Sequence, residues 1–99
     1  MIYIDKEEQF KELINKKLVI VDFYATWCGP CQMISPILEE MEKETPDLTV
    51  VKIDVDKHEK LAREHGVFSI PTLEIYKNCV MTSQVVGYKT KKELEDLLQ

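Results

Sequence analysis

The segment LVIVDFYA, residues 18–25, is apolar at nearly every position. An unbroken apolar run of this length is typical of a strand in the centre of a sheet, buried on both faces. A strand covered in this way needs helices on both sides of its sheet. The only charged residue in the segment is Asp22, and an ionised carboxylate is costly in such apolar surroundings.

Four further segments have the composition of strands: IYI at 2–4, LTVVKIDV at 48–55, TLEIYK at 72–77 and VMTSQVVGY at 80–88. Only Asn78 and Cys79 separate the last two, which predicts a hairpin. A two-residue hairpin turn takes positive φ at both central positions, which favours glycine. Because a cysteine there costs about 1–2 kcal/mol, we expect another form of turn or a longer loop.

Three helices are predicted from capping-box patterns, in which an N-cap residue is followed three positions later by Glu. Their N-cap residues are Asp5, Asp56 and Thr90, and Gly66 is placed to end the second helix. A longer helix begins at the cysteines of WCGPC and carries one apolar face: Met33, Ile34, Ile37, Leu38 and Met41. Because this face continues beyond Pro36, we expect the proline to bend the helix rather than end it.

The resulting order of elements, βαβαβαββα, predicts an α/β fold. Alternating strand and helix units imply parallel strands with right-handed crossovers, and the hairpin adds antiparallel pairing. We therefore expect a single mixed sheet of about five strands flanked by about four helices. This architecture would form one domain over residues 1–99.

The charge balance narrows the range of partners. The chain has 13 Lys and Arg against 18 Asp and Glu, whereas non-specific nucleic-acid binding depends on basic residues that neutralise phosphates. No apolar run is long enough to span a bilayer, and the segment MIYIDKEEQF does not resemble a signal peptide. We expect a cytoplasmic, monomeric protein that binds neither nucleic acid nor membranes.

The segment WCGPC, residues 27–31, contains two cysteines three positions apart. On a first helical turn such residues face the same side, with their Cα atoms within the roughly 4.4–6.8 Å that a disulfide accepts. Pro30 suits this turn, so Cys28 is expected at the helix N-terminus, where free N–H groups favour a thiolate. We expect Cys28 to attack a disulfide of a partner, and the more shielded Cys31 to resolve the mixed disulfide.

Asp22 is a candidate to accept the proton of Cys31. Burial should raise its pKa toward neutrality, a useful range for a base. It precedes Cys28 by six residues, at the end of the strand that leads into the cysteine turn. The alternative is a structural role, as the partner of a buried lysine or as a cap for a local N–H. Lys52 on a neighbouring strand is placed to pair with it, although a lysine there also suits a solvent-facing position.

A metal site is another use of paired cysteines. A structural zinc site usually has four ligands, often in two pairs. This chain has one CxxC, a distant Cys79, and His58 and His65 on another predicted helix. We therefore expect no metal, and we expect both histidines on the surface of their helix. Cys79 is expected to be a tolerated residue or an exposed thiol open to intermolecular bonding or glutathionylation.

The runs VDFYATWCGPC, SIPT and VGY resemble the thioredoxin family, and the likeness extends over essentially the whole chain. The resemblance implies that Cys28 is the nucleophile, Cys31 the resolving thiol, Asp22 the buried proton-handling carboxylate and Lys52 its partner. It also implies a cis peptide bond before Pro71, which would face the cysteines. The implied docking surface for partner proteins consists of Trp27, Gly29, Pro30, Ile70, Pro71, Gly87 and Tyr88.

The resemblance implies a general protein thiol-disulfide oxidoreductase, acting as a protein-disulfide reductase through the Cys28/Cys31 couple. Its partners would be disulfide-containing substrate proteins and a flavin-containing, NADPH-dependent thioredoxin reductase, and the chain itself would bind no cofactor. Pro30 carries no charge that would stabilise the thiolate of the reduced form, which favours a reductant over a disulfide oxidant or isomerase. Gln32 stands where the family often has lysine, which removes a positive charge near Cys28. A binding subunit or chaperone-like module that does not need its thiols is the remaining alternative.

Overall fold

The computed structural model describes residues 1–99 and contains five strands and four helices. The strands are β1 (Ile2–Tyr3), β2 (Leu18–Tyr24), β3 (Leu48–Asp54), β4 (Thr72–Lys77) and β5 (Val80–Val86), and the helices are α1 (Gln9–Leu13), α2 (Gly29–Glu44), α3 (Glu59–Glu64) and α4 (Lys91–Leu97). The sheet has the order β1-β3-β2-β4-β5. β1 and β2 pair in parallel with β3, whereas β4 pairs antiparallel with β2 and β5. The predicted mixed α/β sheet is confirmed.

Strand β2 lies in the middle of the sheet, and a separate apolar core covers each of its faces. One core joins the odd-numbered residues of β2 to α1 and α3: Val19, Val21, Phe23, Phe10 and Leu61. The other core joins β2 to α2 and α4, and includes Ile20, Ile34, Leu38, Met41 and Leu94. The unbroken apolar character of residues 18–25 is therefore explained by burial on both faces.

The starts of the short helices only partly follow the capping-box prediction. Thr90 forms a complete capping box, because its side chain accepts from Glu93 N–H and the Glu93 side chain accepts from Thr90 N–H. The predicted caps at Asp5 and Asp56 are wrong, since α1 and α3 both begin later than these N-caps would require. Both segments make other contacts instead. The Gln9 side chain accepts the N–H of Asp5, and the Asp56 carboxylate accepts the indole N–H of Trp27.

Helix α2 continues through Pro36 for about two further turns, to Glu44. An interior proline removes one helical hydrogen bond. Residues on both sides of the proline are buried against the sheet, namely Ile34 before it and Leu38 and Met41 after it. This burial holds the helix in place across the interruption. No helix of the structure is long and apolar enough to cross a membrane.

The β4–β5 hairpin has a two-residue turn, because Lys77 pairs directly with Val80. Asn78 and Cys79 adopt φ values of 51° and 72°. The expectation of another turn or a longer loop is therefore wrong: the short connection imposes positive φ on both residues. The thiol of Cys79 is exposed and donates to the side-chain oxygen of Asn15 at 3.3 Å.

Candidate active site

The two cysteines lie where β2 ends and α2 begins. Cys28 is the N-cap residue of α2 and has an extended backbone, and Pro30 occupies the first turn. The sulfur of Cys28 accepts the backbone N–H of Cys31 at 3.2 Å. This contact uses one of the free N–H groups of the helix N-terminus, and it favours negative charge on that sulfur.

Cys28 and Cys31 form a disulfide, with their Cα atoms 5.3 Å apart. Cys28 is 5% exposed and Cys31 is 2% exposed, so both are buried and Cys31 is the more shielded. The structure therefore agrees with the order of shielding expected from the helix position. Trp27, Gly29 and Pro30 next to the couple are exposed.

A second segment reaches the disulfide from the start of β4. The peptide bond between Ile70 and Pro71 is cis. The carbonyl oxygen of Ile70 lies 3.9 Å from the sulfur of Cys28, and the Ile70 side chain packs against the small buried cluster that contains both cysteines. The carbonyl oxygen of Pro71 accepts the N–H of Gly87 at 2.7 Å, which ties the end of β5 to this segment. The structure thus brings Ile70, Pro71 and Gly87 together beside the cysteine turn.

Trp27 extends from the cysteine turn into solvent and is 70% exposed. Its indole N–H donates to the carboxylate of Asp56 at 2.8 Å, which fixes the ring although its faces are free. Asp56 follows the end of β3, and sequence reasoning missed it as a site residue because its position suggests a helix cap. Tyr88 is also exposed and follows Gly87, but no hydrogen bond ties it to the disulfide.

Behind the disulfide, Asp22 and Lys52 form a buried ion pair. They are direct neighbours on β2 and β3, and Lys52 Nζ lies 2.7 Å from Asp22 Oδ2. Their side chains are 0% and 3% exposed, so Lys52 is not a solvent-facing residue. Burial raises the pKa of Asp22, and the nearby Lys52 ammonium opposes this effect without cancelling it. Oδ1 of Asp22 has no hydrogen-bond partner in the protein.

A cavity of about 210 Å³, open to the surface, lies next to Lys52 of this ion pair. Its wall includes residues of four elements and of the cysteine turn: Tyr3, Tyr24, Ala25, Thr26, Cys31, Gln32, Ser35 and Lys52. Lys52 Nζ donates to Ser35 Oγ at 3.1 Å and lies 4.8 Å from the centre of the Tyr24 ring. Cys31 and Lys52 therefore line the same space. Ser35 was not expected here, since nothing in the sequence marks a lone serine on a helix.

The two histidines do not lie on the surface, so that prediction is wrong. His58 is buried, with Nε2 3.1 Å from the carbonyl oxygen of Ile4. His65 is half-buried, with Nδ1 2.9 Å from a carboxylate oxygen of Glu74, which has no exposed surface. The short helix α3 packs on the sheet closely enough to bury the residues at both of its ends. No group of three or more His, Cys, Asp or Glu side chains is arranged to hold a metal ion.

Comparisons with known proteins agree on one family. The family model described as Thioredoxin matches residues 1–99. The thioredoxin of Chlamydia pneumoniae is 44% identical over 98 residues, covering 99% of this chain and 96% of that protein. The thioredoxin of Bacillus subtilis (strain 168) is 43% identical over 93 residues, covering 93% of this chain and 89% of that protein.

Solved structures show the same relationship. A mutant thioredoxin from Halobacterium salinarum NRC-1 superposes with a TM-score of 0.92 at 37% identity, covering 98% of this chain and 86% of that one. The oxidized form of mitochondrial thioredoxin 3 from Saccharomyces cerevisiae gives a TM-score of 0.89 at 32% identity, with coverage of 99% and 92%. The likeness therefore includes both the sequence and the arrangement of the sheet and helices.

Proposed function

The chain belongs to the thioredoxin family and is a thiol-disulfide oxidoreductase with protein-disulfide reductase activity, and we propose that it serves as a general reductant of disulfides in other proteins. The observation that carries this proposal is the disulfide at the start of α2, in which Cys28 accepts the N–H of Cys31. That contact stabilises the thiolate that Cys28 becomes on reduction.

In the proposed reaction, the Cys28 thiolate attacks one sulfur of a partner disulfide, and the other partner sulfur leaves as a thiolate. Cys31 then loses its proton and attacks Cys28, which releases the second partner sulfur and closes the Cys28–Cys31 bond. The partner gains two electrons and the dithiol loses two. Asp22 accepts the proton of Cys31, because burial raises the pKa of its carboxyl group and so makes it a stronger base than an ordinary aspartate. Lys52 stabilises the carboxylate form of Asp22 and keeps it available as a base.

The docking surface in this proposal surrounds the edge of the disulfide. The partner chain lies in extended form beside Ile70, whose backbone supplies strand-like hydrogen bonds. Pro71, with no N–H of its own, bounds this segment. Trp27, Gly29, Pro30, Gly87 and Tyr88 supply the remaining contact area around the couple. The exposure of Trp27 and Tyr88 supports this assignment, because exposed aromatic side chains are enriched at interfaces.

The proposed cycle is completed by a flavin-containing, NADPH-dependent thioredoxin reductase, which reduces the Cys28–Cys31 disulfide without a cofactor bound to this chain. We place the protein in the cytoplasm and expect it to act as a monomer. Pro30 between the cysteines supports the reducing direction, since it offers no positive charge to stabilise the thiolate of the reduced form.

The experiment that tests this function is the reduction of insulin disulfides by dithiothreitol, with and without the protein. We expect wild type to accelerate the reaction and Cys28→Ser to lose the acceleration. Cys79→Ser is the matched control, because it removes the one cysteine outside the couple and should retain the wild-type rate. Equal rates for wild type and Cys28→Ser would refute the reductase mechanism.

The same experiment has a trapping arm. Cys31→Ser cannot resolve the mixed disulfide, so we expect it to accumulate covalent adducts with partner proteins that dithiothreitol releases. Mass spectrometry of a lysate treated with this variant identifies the adducts and the cysteine that carries them. Adducts on Cys79 rather than Cys28 would show that the nucleophile is wrongly assigned.

A further inference from the structure

Ser35 contacts the buried ion pair from the helix side of the site. Its hydroxyl oxygen accepts a hydrogen bond of 3.1 Å from Lys52 Nζ, which also donates to Asp22 Oδ2 at 2.7 Å. Ser35 is half-buried and lies four residues after Cys31 on α2. Residues four apart on a helix share a face, so the hydroxyl and the resolving sulfur lie on the same side of α2.

The hydrogen bond to Ser35 helps to hold the ammonium group of Lys52 in position. A lysine ammonium has three donors. One donates to Asp22, one donates to Ser35, and the ammonium also lies over the Tyr24 ring. Because Lys52 is almost fully buried, loss of the Ser35 oxygen leaves one N–H group without a protein acceptor. Lys52 is then held less firmly against Asp22.

The position of the cavity connects the hydrogen bond between Ser35 and Lys52 to proton transfer. Asp22 has no exposed surface and is not part of the cavity wall, whereas Cys31, Ser35 and Lys52 all line it. The cavity has room for several water molecules, each of which occupies about 30 Å³ in the liquid. Lys52, held by Ser35, therefore lies between the buried carboxylate and the space next to the resolving thiol.

We propose that Ser35 is a positioning residue for the resolving step: its hydroxyl fixes the Lys52 ammonium between Asp22 and the cavity beside Cys31, and thereby sets the pH at which this step proceeds. The inference rests on the proposed roles of Asp22 and Lys52. In this step the proton of the Cys31 thiol reaches Asp22 through water in the cavity and the Lys52 ammonium, which passes one proton to the carboxylate and takes another from the water. The Cys31–Cys28 bond forms, the bond between Cys28 and the partner breaks, and the partner sulfur leaves with the electron pair as a thiolate.

The titratable groups that line this space come from four elements: Tyr3 of β1, Tyr24 of β2, Lys52 of β3 and Cys31 of α2. Asp22 of β2 lies behind them, in contact with Lys52. Burial raises the pKa of Tyr24, and the charge of Asp54 at the end of β3 adds to this effect. Only Asp22 and Cys31 differ in protonation before and after the proposed step. A pH titration followed at each of these two groups therefore isolates the effect of Ser35 on that step.

The first test follows the side-chain carboxyl of Asp22 by carbon NMR in the oxidised protein across a pH titration. We expect Ser35→Ala to move the midpoint upward by about half to one pH unit, since one hydrogen bond that supports the charged pair is lost. Ser35→Thr retains the hydroxyl and should give the wild-type midpoint. In a Lys52→Met background, Ser35→Ala should produce no further shift, because the ammonium that the serine holds is absent.

The second test measures the resolving step directly. Thionitrobenzoate is attached to Cys28 of the reduced protein in a Cys79→Ser background, and its release by Cys31 is followed against pH. The midpoint of the release rate should move upward in Ser35→Ala by the same amount as the Asp22 titration, and should not move in Ser35→Thr. A purely structural effect of the serine would slow release at all pH values without moving the midpoint.

Unchanged midpoints in Ser35→Ala, or equal shifts in the alanine and threonine variants, would overturn the inference. The NMR titration uses the oxidised protein and needs no turnover, so it decides the role of Ser35 even if insulin reduction fails. Conversely, normal insulin reduction with an unmoved Asp22 midpoint would leave the proposed function intact and remove the role of Ser35.

Discussion

The carboxyl group of Asp22 is subject to two opposing influences. It has no exposed surface, and this burial raises its pKa, whereas the ammonium of Lys52 at 2.7 Å lowers it. Burial is the larger of the two, so Asp22 holds a proton to a higher pH than an ordinary aspartate. A carboxyl group of this kind can accept a proton from a thiol and release it again without a large energetic barrier.

Asp22→Asn is expected to slow the resolving step about a hundred-fold near pH 7, the lower end of what a positioned general base supplies. In wild type, the rate of this step should rise with pH through the raised pKa of Asp22. The variant should lose that rise, because asparagine does not titrate. Release of thionitrobenzoate from Cys28 measures both effects.

Glu74→Gln is the matched control for Asp22→Asn. It also neutralises a carboxylate with no exposed surface, but Glu74 lies on β4 and contacts His65 and Tyr76 rather than Lys52. We expect its resolving rate to match wild type, with the fold of both variants checked by circular dichroism. A wild-type rate at pH 7 in Asp22→Asn would remove the aspartate from the mechanism.

The sequence indicates Asp22 because a charge interrupts an apolar strand, and Lys52 because it occupies the matching place on the next strand. Glu74 is likewise a charged residue within a strand segment, TLEIYK. In that segment, however, apolar and polar residues alternate, which is typical of a strand with one face in solvent. Its burial depends on α3 and on His65 covering that face. Ser35 and the pairing of Trp27 with Asp56 depend on how distant segments meet, which local patterns do not contain.

At the scale of the elements, the β4–β5 hairpin contains the clearest conflict between local preference and tertiary structure. Lys77 and Val80 pair in register, so only two residues connect the strands. Both have positive φ, a conformation that glycine adopts freely and other residues adopt at a cost. Asn78 tolerates it comparatively well, whereas Cys79 does not. The pairing of the two strands therefore supports a turn that its own sequence disfavours.

Cys79→Gly is expected to raise the free energy of unfolding by about 0.5–1 kcal/mol. Relief of the left-handed conformation contributes about 1–2 kcal/mol, and the greater freedom of glycine in the unfolded chain removes about 0.5–1 kcal/mol. Urea denaturation of the oxidised protein measures the difference. Cys79→Ala removes the thiol and its contact with Asn15 but keeps the backbone cost, so it should show no gain. A gain in both variants would mean that the thiol, not the backbone, is the source of instability.

The helix boundaries show what short patterns predict reliably. The box at Thr90 forms with both of its hydrogen bonds to Glu93. At Asp5 and Asp56 the pattern is the same, but contacts with Gln9 and Trp27 engage the local groups and the helices start later. The predicted ranges of the strands and of α2 lie close to the observed ones, because their apolar patterns reflect burial against the whole sheet.

Across the whole molecule, the sheet separates two buried carboxylates. Asp22 and Glu74 lie on adjacent strands, with Asp22 paired to Leu73 and Val21 paired to Glu74 in the register. Because side chains alternate along a strand, the two carboxylates point to opposite faces. Asp22 lies on the face covered by α2, and Glu74 lies on the face covered by α1 and α3. In the proposed mechanism the proton transfer uses the face of Asp22, whereas the opposite face contains a polar network made by Glu74 with His65, Tyr76 and Gln84.

This second network is expected to make stability depend on pH. The hydrogen bond that His65 donates to the Glu74 carboxylate raises the pKa of His65 above its ordinary value of 6.5, with burial opposing the effect. The folded protein therefore retains a proton at a pH where the unfolded chain has lost it. Its stabilising contribution is complete below about pH 6.5 and is lost as the pH rises through the raised pKa.

Urea denaturation at a series of pH values should show the free energy of unfolding falling above about pH 6.5, by less than about 1.4 kcal/mol per pH unit. The figure of about 1.4 kcal/mol corresponds to a difference of one full proton between the folded and unfolded states. Solvent at the exposed part of the His65 ring screens its charge, which limits the pKa shift and keeps the difference below one proton. His65→Gln retains a donor for Glu74 but does not titrate, so it should lose this part of the slope. Asp22, whose pKa is also raised, contributes a fall that begins near its ordinary value of 3.8, and the difference between wild type and His65→Gln cancels it. Parallel pH curves for the two proteins would show that the proton on His65 does not stabilise the fold.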